Sequence, residues 1–234
     1  MCWSAPVTYA MVGAGVAATV WTIRRGEPPA IWGTLAYFTA MEALQATGYA
    51  VIDQCDAPLN KTVTLLSYLH IAFQPFVINL FAMALIARPI SAKARRIVLG
   101  LALVSAASIV GRLLPFGWAG HCLPGQVLCG EAYCTISGEW HLGWTVPWYD
   151  LWGLLPWVGP SGFPEYLLAA FVLPLFYGAW RFSLFHLLVG PLLAWSLTDN
   201  PNEMPAIWCL FSIGIVLVAL SPLIRRTVAP PLPA

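Results

Sequence analysis

Charge is what this chain has least of. Asp, Glu, Lys and Arg make up 9% of its 234 residues, against about 25% in soluble domains. A surface so poor in charge does not stay wet as an ordinary soluble domain does. Basic clusters are missing as well. With a formal net charge of +1 and no patch of Lys and Arg able to track phosphates, nucleic acid is not an expected partner. There is no GxSxG elbow, HExxH, Walker loop or dinucleotide fingerprint. The cysteines form no CxxC knuckle, so no metal site is expected. The last apolar stretch has no lysine, which argues against a retinal Schiff base. No internal repeat stands out.

What is abundant is apolar surface: 59% hydrophobic residues, twelve Trp and a mean hydropathy of +0.76. A helix needs about 20 mainly apolar residues to cross the hydrocarbon core. Seven stretches qualify: Ala5–Ile23, Ala30–Ile52, Thr62–Ala87, Ile97–Leu114, Phe163–Ala179, Ser183–Leu197 and Pro205–Leu223. The fifth and sixth are the shortest and read equally as a buried hairpin. The expected fold is all-α, a single polytopic transmembrane bundle over residues 1–228. A Pro-rich tail, 229–234, is expected to fray.

Basic residues orient the map, because cytosolic loops are rich in Lys and Arg. Arg24, Arg25, Arg88, Lys93, Arg95, Arg96, Arg181, Arg225 and Arg226 fall on one side, and Lys61 and Arg112 on the other. This places the N-terminus outside and the C-terminus in the cytosol. The first stretch does not read as a cleaved signal peptide, since its positive charge follows the apolar run. The expected location is the inner membrane of a bacterium, with the lipid bilayer as partner.

The outer side holds the unusual residues. The acids Asp53, Asp56, Glu131, Glu139, Asp150, Glu165, Asp199 and Glu203 fall there, as does the longest loop, about 115–162. Within it Trp144, Trp148 and Trp152 recur every four residues, the spacing of one helical face, beside Trp140 and Trp157. An interfacial helix or a lid follows from that spacing. Cys55, Cys122, Cys129 and Cys134 all lie in outer loops. In an oxidising compartment they make disulfide candidates, with three possible connectivities. Asn60-Lys61-Thr62 is a glycosylation sequon. His121 and His141 read as ordinary loop residues.

Polar side chains inside the apolar stretches are costly and mark sites or interhelical contacts. Glu42, Gln45 and Tyr49 share one helical face, and Ser67, His70 and Gln74 share another. At 1.5 Å rise per residue, Glu42 and His70 lie at roughly 15 and 12 Å depth. Consecutive spans are neighbours, so a Glu42–His70 hydrogen bond, direct or through one water, is expected. Asn79 points away from that face. The two stripes make a polar pocket open to the outside, with Cys2, Glu203, Trp208 and Cys209 at its mouth. The turn 198–203 also reads as a cap for the last helix.

Four segments carry a resemblance: Met1-Cys2-Trp3-Ser4; Met41-Glu42-Ala43-Leu44-Gln45; Tyr68-Leu69-His70 with Gln74-Pro75; and Asn202-Glu203 followed by Pro205-Ala206-Ile207-Trp208-Cys209. They resemble a family of small bacterial multi-pass membrane proteins of unknown function. The resemblance spans nearly the whole chain. It implies no activity, and it adds weight to Cys2, Glu42, His70 and Glu203. The leading expectation is a membrane protein that binds a small or lipid-like ligand in the outward-facing polar pocket. The rivals are a membrane enzyme using His70 and Glu42, with Cys2 or Cys209 as nucleophile or metal ligand, and a structural subunit of a larger complex. No pattern names a cofactor or an oligomeric state.

Overall fold

A computed structural model describes residues 4–86, 89–153 and 162–221. Cys2, Arg88, Trp157, Arg225, Arg226 and the tail 229–234 lie outside the described residues. Among the described residues seven helices form one bundle: α1 (Ala5–Arg24), α2 (Pro29–Ala50), α3 (Pro58–Leu85), α4 (Ala92–Gly111), α5 (Pro164–Phe176), α6 (residues 180–197) and α7 (Met204–Leu220). By length and composition α1, α3 and α4 are long and apolar enough to cross a membrane.

Local chemistry explains the boundaries. Proline stands in the first turn of α1, α2 and α3, where its missing N–H is not needed by the helix. Ser91 caps α4, its hydroxyl accepting from the Ala94 N–H at 3.2 Å. α5 and α6 each contain a π turn, Leu168–Val172 and Leu188–Leu192. Pro174 and Pro191 sit at these turns. A proline ring clashes with the carbonyl four residues back, and a widened turn makes room for it.

The helices pack in sequence, α1 on α2, α2 on α3 and α3 on α4, and α7 returns against α2 and α6. The resulting surface is inverted relative to a soluble protein. Val16, Trp21, Leu101, Val104, Leu168, Phe176, Leu188 and Trp195 face outward. Thr8, Thr22, Thr39, Glu42, Gln45, Thr64, Ser67, Gln74 and Asn79 are buried.

The long loop corrects two expectations, a purely α fold and a Trp-bearing helix. It folds as two small antiparallel sheets: β1 (Gly120–His121) pairs with β4 (Tyr149–Asp150), and β2 (Cys134–Ser137) with β3 (Leu142–Thr145). Trp144 lies in β3 and Trp148 just before β4, and both are fully buried. The sequon is also spent structurally. Asn60 is buried at the start of α3, donating to the carbonyls of Val51 and Thr135 at 2.7 and 3.0 Å and accepting from the Thr135 N–H at 2.8 Å. It pins β2 to the bundle.

Two disulfides complete the loop. Cys55–Cys134 ties the α2–α3 connection to β2, and Cys122–Cys129 closes a short loop after β1. Cys209 is free and buried. A thiol label added to denatured, unreduced protein should therefore modify Cys209 and spare Cys55, Cys122, Cys129 and Cys134. Modification of any of the four overturns the pairing. Replacing both Cys55 and Cys134 by Ala should lower stability by about 2–5 kcal/mol.

Candidate functional site

The hairpin between β2 and β3 turns through Gly138, Glu139, Trp140 and His141, with the Gly138 N–H donating to the His141 carbonyl at 2.8 Å. The fully buried carboxylate of Glu203 fills that turn. It accepts from the N–H groups of Glu139 at 3.1 Å, Trp140 at 2.6 Å and His141, and from the Thr198 hydroxyl at 2.8 Å. Successive backbone N–H groups make an anion-binding concavity, and here a side chain of the same molecule occupies it. Gly138 is required: a β-carbon there would lie 2.5 Å from the Glu203 carboxyl carbon. The turn 198–203 is ordered by its own side chains. Thr198 Oγ1 accepts from the Asn200 N–H at 3.1 Å, and Asn200 Oδ1 from the Asn202 N–H at 3.0 Å. So Glu203 clamps the outer hairpin as well as preceding α7.

The clamp delivers His141 into the bundle, which corrects its reading as a loop-surface residue. His141 is fully buried. Its Nε2 meets Gln45 Oε1 at 2.7 Å and its Nδ1 meets the Tyr49 hydroxyl at 2.6 Å. Gln45 Nε2 donates to the Ala206 carbonyl at 3.2 Å, which orients its oxygen toward His141. The network thus assigns a neutral imidazole donating from Nε2 and accepting at Nδ1. His121 remains exposed.

His70 does not bond Glu42 directly. Its Nε2 donates to the Tyr37 carbonyl at 2.8 Å, the Tyr37 hydroxyl donates to the His70 carbonyl at 2.5 Å, and the rings stack 3.7 Å apart. The rotation of α2 about its axis explains the difference. Tyr37 and Glu42 are five residues apart, about 140° around a helix. The Tyr37 side of α2 meets α3, and the Glu42–Gln45 side turns to α7. Glu42 is fully buried and neither carboxylate oxygen has a hydrogen-bond partner among the described residues, nor does the Ser67 hydroxyl. Asn79 stands apart, as expected, bonded to the Ala169 carbonyl and the Tyr177 hydroxyl at 2.8 Å each.

Gln74 links His70 to a cavity of about 580 Å³, within the roughly 300–1,000 Å³ of ligand pockets. Its Nε2 lies 3.5 Å from His70 Nδ1 and donates to Cys209 Sγ at 3.1 Å, and its Oε1 accepts from the Tyr166 hydroxyl at 2.7 Å. The cavity lies between α3, α5, α6 and α7, beneath residues 125–128 and 198–201. Of the expected polar pocket, Gln74 lines it, while Glu42, Gln45, Tyr49, Ser67 and His70 do not. Of the expected mouth, Trp208 and Cys209 line it and Glu203 does not. Among the described residues no three His, Cys, Asp or Glu side chains converge as a metal ion requires.

These features define a class first: a helical bundle with an apolar exterior, buried polar side chains within an apolar core, and a disulfide-bonded cap over a cavity. The chain belongs to the family described as "Family of unknown function (DUF5765)", whose model matches residues 6–229. No curated protein and no solved structure matches it.

Burial pushes the His141 imidazole down from 6.5 to about 3. The folded protein then keeps the ring neutral, while the unfolded chain takes up a proton near pH 6.5. Its contribution is complete above about pH 6.5 and declines as the pH falls toward 3, by at most about 1.4 kcal/mol per pH unit. Thermal midpoints of the detergent-solubilised protein should drop from pH 8 to pH 5, and His141→Asn should flatten that slope. Equal slopes in both proteins count against the assignment.

Proposed function

We propose that this protein is a polytopic membrane protein that holds a lipid-like ligand in the cavity under its outer cap. In this reading all seven helices belong to the membrane domain. The N-terminus is outside and the C-terminus cytosolic, in the inner membrane of a bacterium. The inverted surface supports the membrane placement, since large exposed apolar area marks a membrane or partner face. Nine basic residues on one side of the map against two on the other support the orientation. Reporters fused after Arg226 and before Cys2 test it. The first should read cytosolic and the second external, and an external C-terminus would require an even number of spans.

The single observation that carries the ligand reading is the cavity of about 580 Å³ walled by Ile71, Ile109, Phe163, Leu167, Met204 and Trp208. Apolar walls with few polar groups suit a hydrocarbon chain. A fatty-acyl probe with a photoreactive group along its chain should crosslink to cavity residues such as Ile71 and Met204. Crosslinks confined to outward residues such as Leu101 and Val104 would mean that lipid only coats the bundle. The enzyme reading loses its centre, because both ring nitrogens of His70 are engaged and His70 does not face the cavity.

A further inference from the structure

We infer that the cavity selects a lipid whose headgroup carries an ammonium, received at the mouth by Asp199 and Trp195, and that it disfavours anionic headgroups. This rests on the lipid-binding reading above and adds the chemistry of the head.

The deep end has no polar capacity to offer a headgroup. The Tyr166 hydroxyl is spent on Gln74 Oε1 at 2.7 Å, Gln74 Nε2 on Cys209 Sγ at 3.1 Å, and the Trp208 indole N–H on His186 Nε2 at 3.2 Å. A headgroup pushed inward would lose its hydration without replacement. The hydrocarbon chain therefore goes in and the head stays at the mouth.

The mouth is placed for lateral entry. Leu167 and Trp195, 40% and 69% exposed, line the cavity and also belong to the outward apolar faces of α5 and α6. These two residues join the cavity lining to that apolar exterior. Beside Trp195, on the turn leaving α6, Asp199 also lines the opening and is exposed.

The charge at the mouth has one sign. Among the described residues that line the cavity, Asp199 is the sole carboxylate and none is Lys, Arg or His. Its carboxylate makes no hydrogen bond or ion pair with any described residue. The neighbouring groups are already committed, Thr198 Oγ1 to Glu203 and Asn200 Oδ1 to the Asn202 N–H. An ammonium donates to such a carboxylate in a charge-assisted bond and rests against an indole face. A headgroup of net negative charge is repelled by the Asp199 carboxylate and meets no cationic side chain among the described lining residues.

Native mass spectrometry of the full chain with equimolar phosphatidylethanolamine, phosphatidylglycerol and diacylglycerol tests this. Phosphatidylethanolamine adducts should exceed phosphatidylglycerol adducts by about three- to fivefold, the size of one partly exposed charge pair. Diacylglycerol should fall between them. Asp199→Asn should bring the three level. Equal phosphatidylethanolamine and phosphatidylglycerol adducts on the unmodified protein overturn the headgroup inference and leave the lipid site standing. Filling the cavity with Ile71→Trp, or with Leu167→Trp if the first does not fold, should remove all adducts. Adducts that persist in a folded filled variant refute the cavity as the site, and the headgroup inference falls with it.

Discussion

Glu203 is a fully buried carboxylate, and the donors that satisfy it organise the capped half of this molecule. Three backbone N–H groups and one hydroxyl converge on it, and hydrogen bonds to a charged acceptor contribute about 1.5–3 kcal/mol each. Satisfying Glu203 fixes the β2–β3 turn, requires glycine at 138, and sets His141 between Gln45 and Tyr49. The same carboxylate holds Thr198, and Thr198 orders the turn whose residues 198–201 line the cavity mouth. Cap, buried histidine and cavity rim thus share one anchor.

The second constraint is the disposal of charge inside the bundle. Arg112 and Glu165 are both buried and meet through two bonds, Nε to Oε1 at 2.8 Å and Nη2 to Oε2 at 3.0 Å. The guanidinium lies against the adjoining rings of Trp148 and Phe163, 4.8 and 4.6 Å from their centroids. Neutralisation and the ring faces offset part of the desolvation cost, which for a buried pair often equals the attraction. The pair joins the end of α4 to the start of α5, across the whole outer loop. It also bears on the orientation argument. Arg112 is one of the two basic residues on the minority side, and a base tied up in an internal pair is no free positive charge in a loop.

Much of this was legible in the sequence because it depends on local pattern. The helices fall within a few residues of the apolar stretches, the four outer cysteines pair with one another, and Asn79 points away from His70. Other features were illegible because they depend on rotation about a helix axis or on distant partners. Depth along a span follows from counting, whereas the facing of Glu42 depends on where α7 returns, and no local pattern records that. His141 is met by residues more than ninety positions earlier, so nothing near it marks it as buried. The Trp spacing misled for a different reason. Pro147 interrupts the repeat between Trp144 and Trp148, and a proline there breaks the hydrogen-bond ladder a helix would need. That signal was present and argued against one continuous helix.

α7 is where the two polar systems meet without merging. Its Ala206 carbonyl accepts from Gln45, on the side of His141 and Tyr49, and three residues later Cys209 accepts from Gln74, on the side of the cavity. The expected single pocket thus divides into two networks that meet at α7. On the Gln45 side the amide and the His141 ring satisfy each other, and such paired groups favour a unique packing. The Gln74 side pairs its own polar groups in the same way and leaves mainly apolar walls around the cavity. The placement of hydrogen bonds therefore decides which part of the interior is structural and which part is able to receive a ligand. Polar residues first read as the lining of a pocket serve mainly to hold the helices apart around an apolar one.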